Sequence, residues 1–515
     1  MIKVLLIGPT TKEKITDTRW VTAPLGVHYI ASYLNKMGFY SEVYDVNIDE
    51  EKLEDRISRC NWDIVGFSSQ ESTFEYDLAN ICLVKRLSPN SILVAGGTGP
   101  SLNYQEYFNH APIDIVIQAE GEIPMYQLCK LLDADGFESA PLHMIEGIII
   151  RKHAKILTEK EYTDIRECLD VKSMKAKEYW KRTAFLYDSP DYDDINTFRL
   201  YTSNYCPMNC SFCTLTRLRK YSCGGYVPVV ALSVDSIIGL IKKVLDEYSG
   251  CRQIFLVDDD FFILKKRGIE FCKKIIDLKE KEEIPSYLRF ICLTNINRIN
   301  EDNIDLIKQA GFKVLSIGIE SCSQYVLDSL NKKQKVDKIW KTTELILSRD
   351  IRPYYTLILF APDARVEDLV VDLSSFRKLG SMGVGLSIEP VFIPLKGTQF
   401  SEEHYPERVR KVYFEGTKEF IYKSFAWLPR NPEVYKIFEL FEKMYPKYKK
   451  YCFDNLAPRH KEKNFQAYII LDVLEWVLME FDVVEKNLGN KIYGALDDLR
   501  SMDNVNVDIV GSFIK

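Results

Sequence analysis

The chain has 515 residues, of which 46% are hydrophobic and 28% charged, and its formal net charge is -6. This composition is typical of globular proteins and excludes a disordered chain, while the length suits two to four domains of roughly 100 to 200 residues each. Acidic and basic residues are interspersed, so we expect no nucleic acid and no membrane as partner, but a small molecule or a peptide as substrate.

The first 135 residues alternate short apolar strands with amphipathic helices. The predicted strands are KVLLIG, SEVYDV, DIVGFSS, SILVAGG and IDIVIQ. Such an alternation predicts an α/β domain with a doubly wound, Rossmann-like parallel sheet that is covered on both faces. Ligands of these sheets bind beyond the carboxyl ends of the strands, so the informative loops are 8–23, 68–73, 96–101 and 120–123.

Three further segments follow along the chain. Residues 136–197 are irregular and end in the turn-rich stretch LYDSPDYDDIN, which predicts a linker. Residues 198–402 contain six predicted strands, each followed by a helix except the last, and this order predicts a partial (β/α)6 barrel with an open side. Residues 403–515 have helical spacing and few strand signals, which predicts a small helical domain.

Neither end of the chain predicts secretion or a membrane span. The amino-terminal apolar run in MIKVLLIGP is too short for a signal sequence. The stretch YIILDVLEWVLMEF near the other end contains Asp472 and Glu475 and is shorter than a span of about 20 residues. We therefore expect a cytoplasmic protein.

Three closely spaced cysteines stand out among the thirteen of the chain. Cys206, Cys210 and Cys213 directly follow the first barrel strand, at the end where barrel enzymes hold their active sites. Three thiolates leave one iron of a 4Fe-4S cluster free to bind another ligand, whereas a closed structural site uses four ligands. Zinc is an alternative, although the loop has no His to complete a tetrahedron, and three unrelated free thiols are another.

The stretch CPMNCSFC resembles the CxxxCxxC signature of the radical S-adenosylmethionine (SAM) enzymes, which place an aromatic residue, here Phe212, before the third cysteine. The six-stranded partial barrel is the fold of that family. The resemblance implies that the free iron binds SAM, whose reductive cleavage yields a 5'-deoxyadenosyl radical, and that a flavodoxin or ferredoxin supplies the electron.

Polar residues at the carboxyl ends of three further barrel strands agree with this resemblance. Carboxylates suit an ammonium group and paired polar side chains suit a diol. The resemblance implies contacts with SAM from Asp258 and Asp259, from Thr294 and Asn295, and from Glu320 and Ser321. For any one of these residues, the alternative is that it only caps the following helix.

The amino-terminal domain has no phosphate-binding glycine motif, and the segments at its strand ends are instead PLG, GFSSQ, AGGTGP and AEGE. This succession resembles the cobalamin-binding domain that is fused to many radical SAM enzymes. The implied cobalamin contacts are Pro9, Pro24, Leu25, Gly26, Ser68, Ser69, Gln70, Gly96, Gly97, Gly121 and Glu122. Many cobalamin proteins carry a DxHxxG loop after the first strand, but residues 8–23 contain no His. We expect cobalt without a His lower ligand and His28 as an ordinary helix residue. Loss of cobalamin binding is the alternative.

The combined resemblance implies a cobalamin-dependent radical SAM methyltransferase of the class B type. Its substrate radical would take a methyl group from methylcobalamin at an unactivated carbon, which polar methyl transfer cannot reach. A second hypothesis is epimerisation, rearrangement or cyclisation without methyl transfer, with Cys322 or Cys223 as hydrogen donor in an epimerase. A third is a non-catalytic sensor or carrier of cluster and cobalamin.

Overall fold

The computed structural model describes most of the chain. It covers residues 2–9, 23–70, 73–135, 142–149, 157–183, 196–215, 218, 227–390, 392, 398, 409–413, 423–455, 464–484 and 490–501. By their contacts the residues form two compact units. The first comprises Met1–Phe185, Ile195–Pro207 and Thr214–Ile254, and the second comprises Leu186–Asp194, Met208–Cys213 and Phe255–Lys515.

The first unit contains a five-stranded sheet in the order β2-β1-β3-β4-β5, with every neighbouring pair parallel. Its strands are β1 (Lys3–Ile7), β2 (Tyr40–Tyr44), β3 (Ile64–Ser68), β4 (Ile92–Gly96) and β5 (Ile115–Val116). The helices between and after them are α1 (Leu25–Lys36), α2 (Leu53–Ser58), α3 (Phe74–Leu87), α4 (Thr98–His110) and α5 (Glu122–Asp135).

Successive residues of the strands fill two separate cores. Val4 and Leu6 pack with residues of α1 and α5, whereas Leu5 and Ile7 pack with residues of α2, α3 and α4. Successive side chains of a strand point to opposite faces, so an unbroken apolar run requires cover on both faces. The predicted doubly wound sheet is therefore confirmed.

The segment expected to be a linker contains two helices, α6 (Glu159–Arg166) and α7 (Ala176–Thr183). Both lie in the first unit, where the hydroxyl of Tyr179 donates a hydrogen bond to the buried carboxylate of Asp45. These helices are short and rich in charge, so their stability depends on packing that no local apolar pattern reveals. The predicted domain limits at residues 135, 197 and 402 stay predictions.

A second sheet has six strands in the order β11-β10-β9-β8-β7-β6. The strands are β6 (Thr197–Leu200), β7 (Gln253–Leu256), β8 (Arg289–Thr294), β9 (Phe312–Glu320), β10 (Arg352–Ile358) and β11 (Gly385–Glu389). The helices along this part of the chain are α8 (Val234–Glu247), α9 (Lys265–Glu280), α10 (Glu301–Ala310), α11 (Gln324–Ser329), α12 (Val336–Ser348) and α13 (Val366–Ser381). Sequential strands with intervening helices confirm the predicted partial barrel.

The carboxyl-terminal region contains the helices α14 (Pro432–Asn455), α15 (Phe465–Glu480) and α16 (Asn490–Ser501). It also contains an antiparallel strand pair that the sequence did not predict, β12 (Val409–Tyr413) with β13 (Lys423–Trp427). The side chain of Asn464 accepts a hydrogen bond from the Leu386 amide at 2.8 Å and donates one to the Val384 carbonyl at 2.7 Å. Asn464 thus forms hydrogen bonds with backbone groups at the outer edge of β11. No helix within the described ranges is long and apolar enough to cross a membrane.

Candidate active site

The cysteine loop follows β6, and its three cysteines are half-buried. The amide of Cys213 donates a hydrogen bond to the carbonyl of Cys210 at 3.1 Å, and Asn209 just before this turn has a φ of 57°. Within the described parts of the chain, no three His, Cys, Asp or Glu side chains are already arranged as a metal site. The residue types suit an iron-sulfur cluster, and their role as ligands stays a prediction.

A buried cation lies beside Cys210. The ammonium of Lys332 donates a hydrogen bond to Oε1 of Glu320 at 2.6 Å and lies 5.5 Å from the centre of the Phe212 ring. Burial raises the pKa of the Cys210 thiol, and the nearby charge of Lys332 opposes this shift. Burial also disfavours the charged form of Lys332, but the attraction of Glu320 and then Cys210 outweighs it and raises the pKa of Lys332.

The loop after α11 fixes the second half of the cysteine loop. The Ser211 amide donates to the Leu330 carbonyl at 3.1 Å, and the Asn331 side chain donates to the Asn209 carbonyl at 2.9 Å. Phe212 packs against the apolar cluster that includes Leu330. Lys332 therefore approaches Cys210 as part of a hydrogen-bonded pair of loops.

Gly318 leaves the room that the Glu320–Lys332 ion pair occupies. A Cβ atom at Gly318 would lie 2.5 Å from Oε1 of Glu320 and 2.9 Å from the Lys332 ammonium. Sequence analysis predicted Glu320 as a site residue but missed Lys332. The run NKKQK carries three lysines, and nothing in it shows which of them is buried.

The acidic residues after β7 have different partners. Asp258 is fully buried and pairs with Arg267 at 3.0 Å, and its predicted contact with SAM stays a prediction. Asp260 accepts hydrogen bonds from Thr294 and from Arg298, each at 3.0 Å. Burial raises the pKa of Asp260, and Arg298 opposes the shift.

Arg298 is a second cation that sequence analysis missed. Its Nη2 atom lies 3.8 Å from the sulfur of Met208, in the cysteine loop. Asn295 accepts a hydrogen bond from the Asn297 amide at 3.0 Å and so caps the short turn that carries Arg298. Asp259 is half-buried between its two acidic neighbours, and its predicted contact with SAM stays a prediction.

Ser321 and Cys322 contact α13. The Ser321 hydroxyl donates to the carboxylate of Asp372, at 2.9 and 2.8 Å from its two oxygens, and burial raises the pKa of Asp372 to about 7. The Cys322 thiol is buried, and burial raises its pKa. The predicted role of Cys322 as a hydrogen donor to substrate stays a prediction. Cys223 lies outside the described residues.

The carboxyl edge of the first sheet carries the residues expected to contact cobalamin. Pro9, Pro24, Leu25, Ser68, Gln70, Gly96, Gly97 and Gly121 are partly exposed there, and Gly26 is exposed. Ser69 differs, because its hydroxyl is completely buried and hydrogen-bonds with Asp77 at 2.6 Å and Tyr107 at 2.8 Å. Gly97 has a φ of 96°, and a Cβ atom there would lie 2.6 Å from the Ser69 carbonyl oxygen, so the turn itself requires glycine.

Glu122 and His28 also have structural partners. Glu122 is buried and pairs with Arg166 of α6 at 2.6 Å. The Nδ1 atom of His28 hydrogen-bonds with the Ser173 hydroxyl at 3.0 Å, and burial lowers the pKa of His28 to about 4. His28 is therefore a buried helix residue, as the sequence predicted.

Comparison with known proteins gives two family matches. A family model for the radical SAM superfamily matches residues 200–373, and one for the B12-binding domain matches residues 17–128. The predicted types of these two domains are thus confirmed, whereas their limits stay predictions.

The proteins that resemble this chain include two curated relatives and one solved structure. An uncharacterized methyltransferase of Pyrococcus horikoshii is 25% identical over 394 residues, which cover 74% of this chain and 78% of that protein. An anaerobic magnesium-protoporphyrin IX monomethyl ester cyclase of Cereibacter sphaeroides is 22% identical over 359 residues, covering 68% of this chain but 55% of the cyclase. The structure of the cobalamin-dependent S-adenosylmethionine radical enzyme OxsB covers 97% of this chain and 84% of its own, with 14% identity and a TM-score of 0.65. This last likeness shows the fold.

Proposed function

Because this chain is a radical SAM enzyme with an amino-terminal B12-binding domain, we propose that it methylates an unactivated carbon of a small molecule or a peptide. The observation that carries the proposal is the presence of both domains in one chain. The resemblance to a methyltransferase over 74% of the chain supports it. We propose, more specifically, that the carbon is methylated in the class B mode.

The cofactors carry the reactive chemistry. When bound, a 4Fe-4S cluster with SAM supplies a 5'-deoxyadenosyl radical, and cobalamin supplies the methyl group. Cys206, Cys210 and Cys213 would hold the cluster, while Glu320 and Lys332 would offer charges of opposite sign beside it. Such charges suit the ammonium and carboxylate groups of the methionyl part of SAM. We further propose that the enzyme works in the cytoplasm with a flavodoxin or ferredoxin as electron donor.

The resemblance to a cyclase favours a second candidate function, a radical reaction without methyl transfer. It would use the same cluster and cosubstrate. The two candidates therefore differ in the products of SAM and not in the requirement for the cysteine loop.

Product analysis separates the two candidates. The reconstituted full chain would be incubated anaerobically with dithionite, SAM deuterated in its methyl group and an extract of small metabolites. A methyltransferase is expected to form both S-adenosylhomocysteine and 5'-deoxyadenosine, together with a product that carries the labelled methyl group. 5'-Deoxyadenosine without S-adenosylhomocysteine would contradict methyl transfer and support the cyclisation or epimerisation candidates. Absence of both would contradict either reaction.

Gly96 provides a test of the cobalamin site that spares the fold. A Cβ atom at Gly96 would lie 3.7 Å from the Ile117 carbonyl oxygen, which is ordinary contact, whereas substitution of Gly97 would strain the turn. We expect Gly96→Leu to reduce the hydroxocobalamin that the protein retains through gel filtration, because the new side chain would fill space at the carboxyl edge of the sheet.

The control is Gly239→Leu, at a glycine of α8 with open space around its Cβ position. It should retain as much cobalamin as the wild-type protein. Equal retention by Gly96→Leu and wild type would mean that cobalamin does not approach β4 closely.

A further inference from the structure

Glu320 has a backbone conformation that a glutamate rarely adopts. Its φ is 64°, in the left-handed region, and it ends β9 where the pairing with β10 changes register. Residues in such conformations persist only when the surrounding structure fixes them, and they are concentrated in functional sites. The groups that fix this turn therefore bear on the direction in which the Glu320 carboxylate points.

Asp372 of α13 is the main group that holds the turn after Glu320. One of its carboxylate oxygens accepts a hydrogen bond from the Cys322 amide at 2.6 Å. Both oxygens accept from the Ser321 hydroxyl, which in turn accepts from the Ser323 amide at 2.9 Å. These bonds fix the backbone immediately after Glu320.

One helical turn before Asp372, Asp368 extends the contact. Its carboxylate accepts a hydrogen bond from the Ser323 hydroxyl at 2.6 Å. Asp368 and Asp372 are both buried and lie on the same face of α13, because residues four apart share a face. Two carboxylates from one helix thus hold residues 321–323.

A carboxylate at position 372 is costly for stability. Burial of a charged group is unfavourable unless hydrogen bonds compensate, and burial raises the pKa of Asp372 to about 7. An asparagine would have nearly the same shape without a charge to bury. A buried charge of this kind departs from the usual pattern of protein cores, and such departures are expected at functional sites.

We propose that Asp372 is a positioning residue, which acts through Ser321 and Cys322 to hold Glu320 against Lys332 where this pair meets the methionyl part of SAM. The inference rests on the proposed function, since it requires SAM at the cysteine loop. In this role Asp372 acts through its hydrogen bonds to Ser321 and Cys322 and not by contact with SAM.

The test measures SAM affinity without turnover. The full chain, reconstituted with cluster and cobalamin, would be dialysed to equilibrium with SAM in the absence of a reductant. Asp372→Ala is expected to weaken SAM binding about ten-fold or more, in line with other residues that orient a ligating group, with iron content unchanged. Asp372→Asn should recover only part of the affinity, because its amide oxygen still accepts from the Cys322 amide while its amide nitrogen cannot accept from the Ser321 hydroxyl.

Leu373→Ala is the matched control, because Leu373 is the next residue of α13 and is buried, but its aliphatic side chain can form no hydrogen bond to the turn. It should lower the melting temperature and leave SAM affinity unchanged. If Asp372→Ala fails to fold, Ser321→Ala is expected to weaken binding in its place, since it removes the hydroxyl that links Asp372 to Ser323. If Asp372→Ala, or Ser321→Ala as its replacement, bound SAM with wild-type affinity, the positioning role of Asp372 would be wrong. The proposed function would not be affected by this result. Failure of the wild-type protein to bind SAM would overturn the proposed function.

Discussion

Replacement of Cys206, Cys210 and Cys213 together by alanine is expected to abolish the brown chromophore of the anaerobically reconstituted protein and all cleavage of SAM. We expect this result because we propose the three thiolates as the iron ligands, and without them the cluster would have no attachment in the loop. No three cysteines outside this loop are as closely spaced in the sequence. The measurements are bound iron, visible absorption and 5'-deoxyadenosine under dithionite.

A second triple variant controls for the loss of thiols as such. Cys60, Cys82 and Cys168 are partly or fully exposed, and all three lie in the first unit, away from the cysteine loop in sequence. Their joint replacement by alanine should leave iron content and 5'-deoxyadenosine formation unchanged. If the loop variant still produced 5'-deoxyadenosine, the radical SAM function would be wrong.

Replacement of Arg166 by methionine should strongly destabilise the first unit. The Arg166 guanidinium pairs with buried Glu122 and stacks on Tyr29 at 4.2 Å and on Tyr162 at 4.9 Å. The variant leaves the Glu122 carboxylate buried without its cation, which typically costs about 3 to 5 kcal/mol. We therefore expect a corresponding fall in the free energy of unfolding, which urea denaturation measures.

Arg59→Met is the control for this effect, because Arg59 also pairs with a glutamate, Glu51 at 2.7 Å, but is mostly exposed. Glu51 also keeps Arg56 as a partner, so the expected change is about 0 to 1 kcal/mol. The double variant Arg166→Met with Glu122→Met should recover part of the stability by removing the buried charge. Equal effects of Arg166→Met and Arg59→Met would show that the buried pair has no special role.

The sequence predicted both sheets because their strands are apolar runs whose pattern does not depend on distant residues. Val4 and Leu6 lie in one core, and Leu5 and Ile7 lie in the other. The unbroken apolar run in the sequence therefore indicates a strand that is buried on both faces. The polarity of parallel strands also predicted that residues after β7 and β8 would meet, and Thr294 does bond to Asp260. The direction of the strands was therefore sufficient to predict this contact.

The remaining site contacts depend on tertiary packing that local sequence does not encode. Asp372 reaches Cys322 from a helix 50 residues away, and Lys332 reaches Glu320 from a loop with two other lysines. Ser69 was expected to face a ligand, but its hydroxyl turns inward to Asp77. In each case the identity of the partner decides the role, and the partner is distant in sequence.

The contact between Asn464 and β11 bears on how the protein avoids aggregation. An open barrel has terminal strands, and unpaired backbone groups on such a strand can pair with a strand of another molecule. The Asn464 amide occupies the Leu386 amide and the Val384 carbonyl, two of the groups that an incoming strand would need. Replacement of Asn464 would therefore leave these two backbone groups available to pair with a strand of another molecule. The protein would aggregate more readily, even with every residue of the active site intact.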